Sequence, residues 1–146
     1  MLSAMAEAPV ELIKRVPLFS DLDNRELKQI ARSMKERTFR AGDTITEEGK
    51  GGVGFFVIAG GTAKVSIGGE DVRTFGEGDY FGEIGLIADI DRTATIKAES
   101  ELKCYGMTSW DFRSLVERNG DIAWELLAST AKKLYENTRS ARVEGA

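Results

Sequence analysis

Leu27, Ile30, Ala31 and Met34 recur at helical steps among polar neighbours, the repeat of a helix with one apolar face. Asp23 precedes that run with Glu26 on the same turn, an N-cap and capping-box pattern that places the helix start. A shorter run predicts a first helix from Val10 to Lys14, closed by the apolar plug Val16-Pro17-Leu18-Phe19. From Lys35 the pattern turns to short apolar alternations. They fall at Lys35 to Arg40, Thr44 to Thr46, Gly54 to Ala59, Ala63 to Ile67, Val72 to Phe75, Ala94 to Ala98 and Leu102 to Met107. Turn signals separate them at Ala41-Gly42-Asp43, Glu48 to Gly52, Gly60-Gly61, Gly68-Gly69 and Gly76 to Asp79. Short strands at even spacing between glycine-rich turns predict a barrel or roll.

The helical repeat then returns. Ser109 is placed to cap a helix through Trp110, Phe112, Leu115 and Val116, stopped by Asn119-Gly120. Asp121 opens the longest helix, running to about Arg139. Along it Trp124, Leu127, Ala131, Leu134 and Thr138 form a stripe that Ile122, Ala123, Leu126 and Tyr135 widen. So wide a stripe is expected to pack on the roll, with part of it free to pair with a second copy of the chain. Lys132, Lys133, Arg139 and Arg142 near its end complement the helix dipole.

Composition narrows the function classes. With 146 residues the chain is long enough for one domain with a real core, and 16 glycines fit many tight turns. A net charge of −4 argues against a nucleic-acid surface, and no apolar run reaches membrane-spanning length. The N-terminus lacks a basic-then-apolar leader, so a cytoplasmic protein is expected. Cys104 stands alone, which excludes an internal disulfide and suits a small buried hydrophobe in a reducing compartment. There is no histidine, which removes the commonest metal ligand and general base and argues against a metal-dependent cupin enzyme. No G-x-S-x-G occurs, and the glycine clusters do not open a long helix as a dinucleotide site would. Neither catalytic residues, a metal nor a cofactor is expected.

The candidate chemistry lies between Gly78 and Ile96. Phe81-Gly82-Glu83 leads into a compact apolar segment, Ile84 to Ala88, read as one or two helical turns; Arg92 and Thr93 follow. A helix start offers unpaired amides to an anion, and glycine lets the backbone approach it closely. Arg92 supplies a planar cationic fork suited to phosphate oxygens. Glu83 is an acceptor, and a carboxylate beside a phosphate calls for a hydroxyl between them. Together these describe a sugar-phosphate site.

The segment FGEIGLIADIDRTATI resembles the phosphate-binding cassette of cyclic nucleotide-binding domains, usually F-G-E-(L/I)-A-L-x5-R-(A/S/T)-A-x-V. The likeness extends to Gly42 with Ile45, Gly49, the F-V-I-x-x-G run ending at Gly61, and Gly78-Asp79, covering about Val16 to Tyr135. It implies a mainly β fold with flanking helices. The core would be an antiparallel double-stranded β-helix, a jelly-roll-like β-roll, with N-terminal helices and a C-terminal lid helix. The expected layout is a flexible arm over 1–9 and a single domain over 10–146, with the roll at about 36–108 and C-terminal helices at about 109–140. By resemblance, Glu83 accepts from the ribose 2′-hydroxyl and Arg92 pairs with the cyclic phosphate. Amides around Gly82, Glu83 and Thr93 complete the cradle, with Phe81 and Ile84 beside them. Val65 and Val72, flanking the Gly68-Gly69 hairpin, are expected to supply an apolar floor. Leu134 or Tyr135 would close over the base, with Lys132, Asn137 and Arg139 as polar alternatives.

The ligand implied is cyclic AMP, with cyclic GMP second because the Thr93 hydroxyl can also meet a syn guanine. Binding is expected to draw the cassette inward and re-seat the last helix, signalling to a downstream protein partner. No helix-turn-helix or kinase-inhibitor segment is evident, so a sensor without an attached output is expected. Three departures stand out: Gly85 replaces alanine, Asp91 replaces proline before Arg92, and Val53 replaces an acidic residue. Asp79, Glu83, Asp89 and Asp91 thus gather around one arginine, with Asp91 expected to face solvent. The alternative is a degenerate roll that binds no nucleotide and serves as an interaction or dimerisation module.

Overall fold

The computed structural model describes residues 7–51, 54–88 and 90–145, and for 140–145 the backbone alone. Residues 1–6 of the expected arm, together with Val53, Asp89 and the Arg142 side chain, lie outside the described residues. Ala8 is packed into the core, just ahead of α1 (Val10–Lys14). A 3-10 turn, Pro17–Phe19, and α2 (Asn24–Ser33) follow. The capping box of α2 is formed: the Glu26 amide donates to Asp23 Oδ1 at 2.8 Å, and the Asp23 amide donates to Glu26 Oε1 at 3.0 Å.

Among the described residues eight strands come next: β1 (Lys35–Phe39), β2 (Thr44–Thr46), β3 (Gly54–Gly60), β4 (Ala63–Ile67), β5 (Glu70–Phe75), β6 (Tyr80–Phe81), β7 (Thr95–Ala98) and β8 (Leu102–Thr108). They pair antiparallel into two four-stranded sheets, ordered β1-β8-β3-β6 and β2-β7-β4-β5. This is the expected mainly β roll. β6 has too few residues to show a period, so the sequence pattern passes over it. β5 starts at Glu70, ahead of the apolar alternation, because the Gly68-Gly69 turn lets Ile67 pair with Glu70. Both turn glycines have positive φ, 60° and 82°.

The uninterrupted apolar run in β3 has a structural reason. Phe55 and Val57 face a core shared with the helices, whereas Phe56 and Ile58 face the interior of the roll. β8 divides likewise, with Tyr105 and Met107 toward the helices and Leu102 and Cys104 toward the roll. Burial pushes the Cys104 thiol up to about 12.

α3 (Ser109–Arg118) and α4 (Gly120–Gly145) complete the chain. The cap of α3 is Thr108, not Ser109. Thr108 keeps the extended backbone of β8, and its hydroxyl accepts from the Asp111 amide at 3.2 Å. The packing of α4 also differs from expectation. Its buried face is Ile122, Leu126 and Ser129, while Trp124, Leu127, Ala131, Leu134 and Thr138 are exposed. The helix seats on α3 and the Pro17–Phe19 turn, so the narrower stripe meets protein and the wider one meets solvent.

Candidate functional site

Between β7, β4 and β5 on one side and the segment after β6 on the other lies a cavity of about 420 Å³. Val65, Val72, Phe81, Gly82, Glu83, Ile84, Arg92 and Thr93 all line it. Val65 and Phe81 are buried in its floor with Ile96, and Phe75 stacks on Phe81 at 6.1 Å between ring centroids. Ile67, Val72, Ile84 and Ile90 form an exposed apolar rim.

The cassette makes one 3-10 turn, Ile84–Leu86, the short end of the expected range. Its first backbone bond runs from the Leu86 amide to the Glu83 carbonyl at 3.2 Å, and among the described residues the amides ahead of it have no backbone acceptor outside their own strands. Gly82 has φ +87°, and a Cβ there would overlap both Arg92 Nη1 and the Gly54 carbonyl oxygen. Glycine is therefore the residue that lets the arginine fork lie against the cassette backbone.

Arg92 is fixed at both ends. Its amide donates to the Lys50 carbonyl at 2.9 Å, and its carbonyl accepts from the Gly49 amide at 2.9 Å. Its Nη2 donates to the Gly54 carbonyl, while Nε is buried without a hydrogen-bond partner among the described residues. Burial lowers the guanidinium pKa and Glu83 opposes that shift, yet no carboxylate pairs with Arg92 within 4 Å among the described residues. A cation held in place with spare donor capacity and no bonded counter-ion is suited to an anionic ligand. Asp91 is exposed at the mouth, its backbone bridging to Gly51.

Arg73 also lines the cavity, a residue the sequence reading passed over. The register of β4 and β5 shifts between Val65–Arg73 and Ser66–Asp71, leaving Val72 as a bulge. A bulge turns neighbouring residues toward one face, which is how Val72 and Arg73 both reach the cavity. Arg73 sits over the Phe75 ring at 5.1 Å.

Leu134 and Tyr135 do not line the cavity. They are 66% and 64% exposed on α4, beside Ala131, Thr138 and Arg139. The first part of α4 is held to α3 and the Pro17–Phe19 turn, and no described residue of α4 covers the site. Among the described residues no group of three or more His, Cys, Asp or Glu could hold a metal, and no helix is long and apolar enough to cross a membrane.

A roll with a short cassette and an arginine in its mouth defines a ligand-binding domain, and comparison places it. The chain belongs to the cyclic nucleotide-binding domain family, whose model matches residues 36–119. That family consists of regulatory, generally non-catalytic domains. The chain is 32% identical over 127 residues to the cAMP-dependent protein kinase type II regulatory subunit of Drosophila melanogaster. The match covers 87% of this chain but 32% of that protein, so the chain spans about a third of the curated relative's length. The N-terminal domain of a transcriptional regulator from Streptomyces coelicolor A3(2) superposes with a TM-score of 0.80 at 27% identity, covering 86% of this chain and 94% of that one. The cAMP-bound PfPKA-R structure matches with a TM-score of 0.64 at 29% identity, covering 88% and 46%.

Proposed function

We propose that the chain is a cytoplasmic sensor of cyclic AMP, with the cyclic phosphate on Arg92 and the ribose 2′-hydroxyl on Glu83. Arg92 is the observation that carries this reading: a held cation in the cavity mouth, with an unpartnered Nε and no ion-paired carboxylate among the described residues. Gly82, the amides of the cassette and Thr93 complete the phosphate cradle. Val65, Val72, Phe81 and Ile84 enclose the base and ribose. The ligand acts alone, without metal or cofactor, and the output goes to a protein partner rather than to a reaction.

Binding draws the cassette inward and re-seats α4, bringing Leu134 or Tyr135 toward the base. Leu86 supports that link: it leaves the cassette turn and is buried in one cluster with Phe19, Phe112, Ile122 and Leu126. A ligand moves this equilibrium only as far as it prefers the closed state. The exposed Trp124, Leu127, Leu134 and Tyr135 further support pairing of α4 with a second copy.

Cyclic GMP is the second reading, and Arg73 with Thr93 favours it. An arginine fork complements the O6 and N7 acceptors of guanine, whereas adenine presents a donor at the 6-position. Calorimetric titration with cyclic AMP, cyclic GMP and AMP tests both readings. Micromolar or tighter binding of a cyclic ligand without AMP binding is expected, and the order of the two cyclic ligands ranks the bases. A folded, nucleotide-free protein that takes neither overturns the sensor and leaves the interaction module.

A further inference from the structure

The buried face of α4 does not end in apolar residues. One and two turns beyond Leu126 it carries Ser129, 5% exposed, and Lys133. The Ser129 hydroxyl donates to Asp21 Oδ2 at 2.7 Å, across 108 positions of sequence. Lys133 Nζ donates to Ser129 Oγ at 2.6 Å and to the Pro17 carbonyl, and lies 3.8 Å from Asp21 Oδ2. Donors and acceptors therefore run in one direction, from lysine through serine to carboxylate. The Ser129 hydrogen bond and the Lys133 charge also hold the Asp21 carboxyl below its ordinary range. From Leu134 to Arg139 every residue of α4 is exposed. Lys133 is thus the last point at which the described part of the helix is fastened to the domain.

We propose that Asp21, Ser129, Lys133 and the Pro17 carbonyl form a polar latch that holds α4 in its seat against α3 and the Pro17–Phe19 turn. The idea that releasing the latch assists the ligand rests on the cyclic nucleotide reading above; the latch itself does not. A buried serine is a poor way to fasten a helix by apolar packing alone. Its value here is that hydrogen bonds are directional and are lost over a small displacement, so the seat is held or released rather than gradually loosened. The latched turn is also coupled to the wall of the roll. Phe19 ends it, packing edge-on against Phe55 of β3 at 5.7 Å, and β3 pairs with β6 through Phe56 and Phe81, the latter in the cavity floor.

Amide hydrogen exchange along α4 of the ligand-free chain tests this directly. Ser129→Ala and Lys133→Met are compared with Asp21→Asn, which keeps the shape of the carboxylate, and with Thr130→Ala, whose hydroxyl bonds only to its own helix at Leu126. Exchange across 124–139 is expected to rise about tenfold in the first three and to stay unchanged in Thr130→Ala, while α3 keeps its protection. Unchanged exchange in all three latch variants overturns the proposal. Cyclic AMP affinity is then measured for the same proteins and is expected to tighten severalfold as the helix is freed. Freed helices with unaltered affinity overturn the coupling to ligand. Released exchange in a set of proteins that bind no cyclic nucleotide sinks the sensor reading and leaves the latch standing.

Discussion

Replacing Arg92 by alanine separates binding from folding, because the two effects have opposite origins. In the free domain the side chain gives one hydrogen bond to the Gly54 carbonyl, worth about 1 kcal/mol. Against that stands the burial that lowers its pKa and leaves Nε without a partner. Those contributions oppose each other, so the variant is expected to fold with a stability within about 1 kcal/mol of the parent. Binding is another matter. Leaving a phosphate in the cavity without its cation costs roughly 3–5 kcal/mol, about two to three and a half decades in affinity. The assay is a pair of melting curves with and without cyclic AMP, backed by calorimetry. At a hundredfold excess over Kd the ligand adds about 2.7 kcal/mol, or about 5–10 °C for a chain of this size. Parent protein should show that rise and Arg92→Ala none. Arg92→Lys keeps the charge but loses the fork, and falls between them. Retention of affinity within fivefold, roughly 1 kcal/mol, would mean that Arg92 is not the anchor. Failure of the variant to fold would recast it as a structural residue.

Gly82→Ala places a side chain at φ +87° against Arg92, so it should cost about 1–2 kcal/mol in denaturant titration and weaken the ligand as well. Retained affinity would show that the cassette backbone can move aside. Asp23→Ala removes the capping box of α2 and should lower stability by about 1 kcal/mol with no change in ligand affinity. The Cys104 thiol, pushed up to about 12, should resist alkylation at pH 8 in the native protein and react at once in denaturant. Because its folded pKa is raised, the unfolded chain ionises first, and stability should fall as pH climbs from about 9 toward 12. A flat denaturation profile across that range would contradict the burial of the thiol.

Most strands were legible because short apolar runs are set off by turn residues, many of them glycine; β6, two residues long, shows no period and was not. Arg92, Glu83 and Gly82 were legible because their chemistry is local: anion, cation and close approach lie within one short segment. Arg73 was not. It sits in the polar stretch Glu70–Arg73, and only a bulge in the β4–β5 pairing turns it inward with Val72. The seat of α4 was hidden for a different reason. A helix with two overlapping stripes gives no internal sign of which is covered, and the covered one here continues through Ser129 and Lys133, polar residues whose partners lie far away in sequence. The expected lid position of Leu134 and Tyr135, which they do not occupy, depended on that same choice.

The two proposed ligand contacts are mounted differently. Arg92 is pinned through its own backbone to Gly49 and Lys50, so the phosphate partner belongs to the stationary frame. Glu83 heads a single 3-10 turn whose Leu86 plugs the helical core, so in the proposed switch the ribose partner would ride on the piece that moves. A ligand that offers the cyclic phosphate but lacks the 2′-hydroxyl would occupy the frame without pulling the piece. Under the proposed switch, occupancy and response would be separable: a 2′-deoxy analogue should act as a partial agonist, competing for the site while delivering little of the signal.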